Sequence, residues 1–125
     1  MTRKVLLVDD SGLARRSTRR ILEGAGYDVV EAEDGIAALD RYFVEKPDLV
    51  MLDLVMKGMY GLEVLTKLRE LDPLAKVIVV SADVQTSSKD MVQAAGAVGF
   101  LSKPAAQQDL LAMVAHALEG GSSWI

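Results

Sequence analysis

The strongest constraint in the sequence is a run of apolar residues, 49–52, that ends directly on the carboxylate of Asp53. A strand buried on both faces of a parallel sheet has this continuous apolar pattern, and ligands bind beyond the carboxyl ends of such strands. The same pattern occurs at residues 5–8, which are followed by Asp9 and Asp10. If the two strands are neighbours, their acids converge on one site. Like charges held that close raise one another's pKa or need a cation, so we expect a divalent metal and a lysine nearby.

Composition limits the class of protein. The chain has 125 residues, no cysteine and a net charge of −4. This length fits one domain over residues 1–125, with a core at about 4–118 and a flexible tail at 119–125. No apolar run approaches the roughly 20 residues that span a bilayer, and no signal segment is present, so we expect a cytoplasmic protein without membrane insertion. The net negative charge argues against direct binding to DNA or RNA.

One cluster of basic residues contrasts with the net negative charge of the chain. Arg15, Arg16, Arg19 and Arg20 share two adjacent rows of one predicted helix. Such a cluster could contact nucleic acid, but a solvated outer helix face is the more common explanation. We therefore interpret the four arginines as solvated surface residues.

Strand and helix patterns alternate along the chain without a break. The predicted strands cover residues 4–8, 28–32, 48–53, 76–81 and 98–102. The predicted helices cover residues 13–23, a segment between Gly35 and Pro47, 61–72, a segment ending at 95, and 105–118. Gly24, Gly96 and the prolines mark helix ends, and Ser87 or Ser88 is expected to cap the fourth helix.

Five strand-helix units with short connections predict an α/β fold, a doubly wound, flavodoxin-like three-layer sandwich with helices on both faces of a parallel sheet. Strands one, three and four are wholly apolar and belong in the centre, which favours the order 2-1-3-4-5. In that order strands one and three meet at the switch point, so the acids that follow them come together. Ser81 ends strand four and Lys103 follows strand five, so both are expected at the same edge of the sheet, where the carboxyl ends of the strands lie.

With these residues in these positions, the chain resembles the receiver domain of two-component response regulators, of the free-standing, CheY-like chemotaxis type. The resemblance covers about residues 4–118. It rests on Asp9-Asp10, Ala32 with Asp34-Gly35, Ala38-Leu39, Pro47-Asp48, Asp53 with Met56 and Gly61, Ser81-Ala82, and Gly96-Ala97 through Gly99-Phe100 to Lys103-Pro104. Each motif alone is weak, but their order and spacing together are highly specific.

The resemblance implies a phosphorylation site. Asp53 would accept a phosphoryl group from a histidine kinase or a phosphotransfer protein. Asp10, Asp53 and the backbone carbonyl of Val55 would bind Mg²⁺ directly, and Asp9 would bind it through a water. Mg²⁺ favours such oxygen sites. The protein would catalyse only its own phosphorylation and dephosphorylation, and would otherwise not be an enzyme.

The resemblance also implies how phosphorylation of Asp53 would change binding to a protein target. Lys103 would pair with Asp53 and then with a phosphoryl oxygen, and the Ser81 hydroxyl would donate to another oxygen. Ser81 and Phe100 would form a switch that changes the face made by helix four, strand five and helix five, where a protein target binds. The Lys103-Pro104 peptide would be cis, and the protein would act as a monomer.

Departures from the family pattern leave one alternative open. Lys57 stands where the family commonly has proline, Tyr60 replaces an acid, and Val55 and Asp83 occupy variable positions that tune the lifetime of the acyl phosphate. A receiver-like interaction module that works without phosphorylation is therefore the main rival. An FMN-binding flavodoxin is disfavoured by the two acids after strand one, and a phosphohydrolase by Val55, which replaces its general acid. His116 and Trp124 receive no functional role.

Overall fold

The computed structural model describes residues 2–56, 58, 60–82 and 86–122, without the side chains of Thr86 and Ser87. The strands are β1 Lys4–Val8, β2 Asp28–Ala32, β3 Leu49–Asp53, β4 Val77–Ser81 and β5 Gly99–Ser102. The helices are α1 Gly12–Gly24, α2 Gly35–Glu45, α3 Gly61–Leu71, α4 Thr86–Ala94 and α5 Gln107–Leu118. Lys57, Asp83 and Trp124 lie outside the described residues, and the predicted tail is described only as far as Ser122.

The five strands form one parallel sheet in the order β2-β1-β3-β4-β5, which confirms the predicted topology. Val8 is paired with Leu52 of β3, so β1 and β3 end side by side. Asp53 is paired with Val80, and Ser81 with Ser102. Because all the strands run in one direction, their carboxyl ends form a single rim, and Asp9, Asp53, Ser81 and Lys103 lie along it.

The core has two layers, one on each face of the sheet. Leu6, Val8 and Val79 pack towards α2, α3 and α4, in a cluster that includes Ala38, Leu65 and Val92. The alternate strand residues, such as Leu7 and Ile78, pack towards α1 and α5 in a cluster with Leu22, Leu110 and Val114. Successive strand side chains point to opposite faces, which is why strands covered by helices on both sides are apolar at every position. None of the helices in the described part of the chain is long and apolar enough to span a membrane.

Several predicted boundaries are wrong by a few residues. The fourth helix begins at Thr86 and includes both serines that were expected to precede it, and Ser88 is buried. Thr86, Ser87 and Ser88 are three successive residues of capping type, so the sequence does not distinguish among them. The fifth helix begins two residues late, at Gln107, after the cis Lys103-Pro104 peptide that the resemblance implied.

Candidate functional site

Three acids meet where β1 and β3 end. Asp9, Asp10 and Asp53 each offer one carboxylate oxygen, and these oxygens all lie within 4.8 Å of one another. The surroundings of the acids differ, because Asp10 is exposed whereas the side chains of Asp9 and Asp53 are only 13% and 12% exposed. The convergence predicted from the two apolar runs is therefore present. A set of hard carboxylate oxygens at this spacing is suited to a divalent cation of the Mg²⁺ type.

Lys103 is the cation that borders this cluster. Its Nζ lies 2.8 Å from Oδ2 of Asp9 and 3.3 Å from Oδ2 of Asp53. The resemblance implied a pairing with Asp53, and the structure adds the shorter contact with Asp9. The backbone N–H of Lys103 donates to the carbonyl of Ser81 at 2.9 Å, which holds the lysine at the carboxyl end of β4.

The electrostatics of the site keep a charged lysine beside crowded acids. Burial raises the pKa of Asp53, and the charge of Asp9 raises it further, whereas the Lys103 ammonium acts in the opposite direction. Burial alone would lower the pKa of Lys103. The hydrogen bond to Asp9 and the charge of Asp53 outweigh it, so the pKa of Lys103 is raised. The lysine therefore stays protonated, and its positive charge compensates part of the negative charge of the cluster.

The β1–α1 turn fixes Asp9 from several directions. The backbone N–H of Ser11 donates to Oδ1 of Asp9 at 2.9 Å, and the N–H of Asp9 donates to the carbonyl of Ala32 at 3.2 Å. Ser11 then caps α1, because its hydroxyl oxygen accepts a hydrogen bond from the N–H of Ala14 at 3.1 Å. Both carboxylate oxygens of Asp9 are thus engaged by the protein itself.

The loop after β3 is held close to Asp53. The N–H of Val55 lies 3.3 Å from Oδ1 of Asp53, and the N–H of Gly61 donates to the carbonyl of Leu54 at 2.8 Å. A Cβ on Gly61 would lie 2.7 Å from Cα of Leu54, so only glycine allows this approach of α3 to the strand end. Val55 itself is 57% exposed, and its only described contact with the acids is the one from its N–H to Asp53.

Ser81 and Phe100, the residues expected to form a switch, belong to the neighbouring strands. Ser81 ends β4 and is fully buried, one residue beyond the strand partner of Asp53. Phe100 lies in β5 opposite Val79 and packs, partly buried, against the core beneath α4. The Nζ of Lys89 lies 5.6 Å from the centroid of the Phe100 ring, within cation–π range.

The prediction that the four arginines of α1 are all solvated surface residues is partly wrong. Arg16 and Arg20 are exposed, as expected. Arg15 instead binds Glu31 of β2 and the carbonyl of Asp9, and Arg19 binds both Glu31 and Glu23. The sequence did not reveal the contact of Arg15 with the site. His116 is exposed at the far end of α5, where its ring lies 3.2 Å from the carbonyl of Ser122.

Comparison with known proteins agrees with the fold and indicates the family. The chain is 38% identical over 105 residues to the chemotaxis protein CheY of Thermotoga maritima, covering 83% of this chain and 88% of that protein. It is 38% identical over 112 residues to response regulator MprA of Mycobacterium bovis, covering 90% of this chain but only 49% of that protein.

Two solved structures illustrate the structural similarity. A CheY-like receiver domain protein from Methanospirillum hungatei superposes with a TM-score of 0.92 at 30% identity, covering 96% of each chain. A CheX–CheY complex with BeF3 and Mg²⁺ from Borrelia burgdorferi gives a TM-score of 0.87 at 30% identity, covering 90% of this chain and 86% of that chain. The profile of the response regulator receiver domain matches residues 5–115. The chain therefore belongs to the receiver domain family of two-component response regulators, as its motifs indicated.

Proposed function

We propose that this protein is a phosphorylation-activated switch of a two-component phosphorelay, with Asp53 as its phosphoryl acceptor. The observation that carries the proposal is the position of Asp53. Its carboxylate ends a central strand at the rim, 3.3 Å from the Lys103 ammonium and beside two further acids. A carboxylate can attack phosphorus, and a neighbouring ammonium and metal neutralise the charge of the phosphoryl group.

The donor set fits Mg²⁺. Asp10, Asp53 and the backbone carbonyl of Val55 would bind the ion directly, and Asp9 would act through a water. This division agrees with the contacts, because both oxygens of Asp9 already accept hydrogen bonds, from Ser11 and Lys103. When bound, the ion supplies positive charge that neutralises the acids and the phosphoryl oxygens together.

In the proposed reaction, a phosphoryl group passes from the donor protein to Asp53. An oxygen of Asp53 attacks the phosphorus of a phosphohistidine on the donor protein. An O–P bond forms, the P–N bond breaks, and the imidazole nitrogen keeps the electron pair. Lys103 remains protonated and pairs with a phosphoryl oxygen, while the Ser81 hydroxyl donates to another. Water later cleaves the acyl phosphate and releases inorganic phosphate, so the protein catalyses only its own phosphorylation and dephosphorylation.

The output is a change in protein binding. Phosphorylation would draw Ser81 towards Asp53 and let Phe100 change its pose, which alters the face made by α4, β5 and α5. The similar structure of a CheY bound to CheX supports a protein target. The phosphodonor would be a histidine kinase or a phosphotransfer protein, and the switch would act as a monomer in the cytoplasm.

Intact-mass measurement tests the proposal. With Mg²⁺ and a small phosphodonor such as acetyl phosphate, the protein should gain one phosphoryl mass, and a chelator should abolish the gain. Asp53→Asn should gain nothing. Asp40→Asn is the matched control, since Asp40 is an exposed acid on α2, and it should be labelled like the unmodified chain.

Two results would contradict the proposal in different ways. Labelling of Asp53→Asn would mean that another residue accepts the phosphoryl group. An unmodified chain that binds Mg²⁺ but is never labelled by several phosphodonors would favour the phosphorylation-independent interaction module.

A further inference from the structure

Arg15 connects the acid cluster to β2 through two hydrogen bonds. Its Nε donates to Oε1 of Glu31 at 2.9 Å, and a terminal guanidinium nitrogen donates to the backbone carbonyl of Asp9. The side chain is only 18% exposed, although Arg16 and Arg20 on the same helix are exposed. The planar guanidinium fork allows one side chain to hold both acceptors at once.

The carbonyl that Arg15 holds belongs to the peptide that joins Asp9 to Asp10. The N–H of Asp9 is bound to Ala32 of β2, so the backbone on both sides of Asp9 is tied to the same strand, directly at one end and through Arg15 and Glu31 at the other. The orientation of the Asp9–Asp10 peptide determines the direction in which Asp10 leaves the turn. Asp10 is exposed at the surface of this turn.

Glu31 in turn restrains Arg15. Its second oxygen accepts a hydrogen bond from Arg19 at 2.7 Å, and Arg19 also lies 3.2 Å from Glu23. The hydrogen bond from Arg19 lowers the pKa of Glu31, with a further contribution from Arg15 that opposes the effect of burial. Glu31 therefore stays charged, and its two oxygens are each occupied by one arginine.

We propose that Arg15 is a positioning residue for Mg²⁺ binding: it holds the Asp9–Asp10 peptide so that Asp10 faces the same ion as Asp53, and Glu31 holds Arg15. This inference rests on the proposed function, because it assumes that the acid cluster binds Mg²⁺. Partners that orient metal ligands commonly influence metal affinity without touching the metal.

Simple electrostatics predicts the opposite effect, which makes the inference testable. A guanidinium close to the cluster repels a cation, so its removal should strengthen Mg²⁺ binding if charge alone mattered. Removal of a positioning residue should weaken binding instead. Arg16 is the matched control, because it lies next to Arg15 on α1, is exposed, and makes no hydrogen bond or ion pair among the described residues.

The experiment is a calorimetric Mg²⁺ titration of the metal-free protein and its variants. Arg15→Met should raise the dissociation constant about tenfold, whereas Arg16→Met should leave it unchanged or slightly lower it. Glu31→Gln should weaken binding less than Arg15→Met does. Arg15→Lys retains the charge but has a single nitrogen at its end, so it should fall between the unmodified chain and Arg15→Met.

Amide NMR spectra without metal supply a second readout. In Arg15→Met the resonances of Asp10 and Ser11 should move, while those of β3, β4 and β5 stay in place and show that the fold is retained. If Arg15→Met does not fold, the Mg²⁺ affinities of Arg15→Lys and Arg16→Met are compared instead. Weaker binding by Arg15→Lys supports the positioning role, and equal or tighter binding overturns it.

The outcomes separate the inference from the proposed function. Unchanged or tighter Mg²⁺ binding by folded Arg15→Met would overturn the positioning role and leave the phosphorylation site intact. An unmodified chain that does not bind Mg²⁺ at all would overturn both.

Discussion

Asp9 and Asp10 are adjacent in the chain, but their carboxylates have different surroundings. Asp9 is mostly buried, accepts a hydrogen bond from the Ser11 N–H, and forms the shorter of the two contacts with Lys103. Asp10 is exposed and has one oxygen within the acid cluster. We therefore expect Asp9 to organise the protein side of the site and Asp10 to bind an ion directly.

This difference predicts unequal effects of two matched substitutions. Asp10→Asn should weaken Mg²⁺ binding about tenfold or more, and Asp9→Asn should weaken it less. Without metal, Asp10→Asn should be as stable as the unmodified chain or slightly more stable, because a crowded charge is removed. Asp9→Asn should lose about 1 kcal/mol, because Lys103 loses its closer anionic partner. Calorimetric titration and urea denaturation measure the two effects.

The unmodified chain and Asp40→Asn provide the reference for both measurements, since Asp40 is exposed on α2. Stronger dependence of Mg²⁺ affinity on Asp9 than on Asp10 would reverse the assignment of direct and water-mediated ligands.

At the scale of whole elements, α2 and the end of α3 are joined by a hydrogen bond on the side of the sheet opposite α1 and α5. The hydroxyl of Tyr42, a buried residue, donates to Oδ2 of Asp72 at 2.7 Å. This bond and the N–H of Leu74 lower the pKa of Asp72. Burial raises the pKa of Tyr42, and Asp72 raises it further, so the tyrosine remains a neutral donor at ordinary pH.

Tyr42→Phe should therefore destabilise the protein in a pH-dependent way. The lowered pKa of Asp72 means that its contribution to stability is fully present above its unfolded value, about 4, and is lost as the pH falls through the folded value. At pH 7 the substitution should cost about 1 kcal/mol, and the difference should shrink in acid. Urea denaturation between pH 3 and 7 measures it.

Tyr27→Phe is the control, because the Tyr27 hydroxyl makes no hydrogen bond with the described residues. Its effect should be small and independent of pH. A cost of Tyr42→Phe that stays constant from pH 3 to pH 7 would show that packing, rather than the bond to a charged Asp72, links the two helices.

The order of the elements was predictable, but some contacts between them were not. Apolar runs place β1, β3 and β4 in the centre, and this arrangement brings the acids that follow β1 and β3 to one site. The start of α4 was missed because Thr86, Ser87 and Ser88 all resemble caps. Arg15 was missed because helical periodicity groups it with Arg16, and only the packing of α1 on the sheet decides which of the two reaches Glu31.

For the molecule as a whole, β4 and β5 connect the proposed phosphorylation site to the surface. Val79 and Ser81 are alternate residues of β4 and therefore point to the same face of the sheet, and Phe100 is the strand partner of Val79. Phe100 packs beneath α4, and Lys89 of α4 lies over its ring. Ser81 therefore lies on the same face of the sheet as Phe100 and α4, so a displacement of its side chain would disturb that face.

Phe100→Ala should still be phosphorylated at Asp53, but its α4 and β5 should respond much less to phosphorylation. Asp53 should still gain one phosphoryl mass, because the acid cluster and Lys103 are unchanged in this variant. In the unmodified chain, beryllium fluoride with Mg²⁺, a stable phosphoryl mimic, should shift the amide resonances of residues 87–96 and 98–102. The shifts should be much smaller in Phe100→Ala, because the side chain that couples Ser81 to α4 is missing. The coupling free energy is expected to be on the order of 1 to 3 kcal/mol.

Phe43→Ala is the matched control for this last prediction, since Phe43 is the other of the two phenylalanines and lies on α2, where its ring contacts Tyr42. It should be labelled and should respond like the unmodified chain. Phenylalanine has no hydroxyl, so a target of the α4, β5 and α5 face would recognise the apolar shape of Phe100, and Phe100→Tyr should retain the shifts. If Asp53 is modified while the resonances of α4 and β5 stay fixed, the signal leaves by another surface, and α1 with its exposed Arg16 and Arg20 is the next candidate.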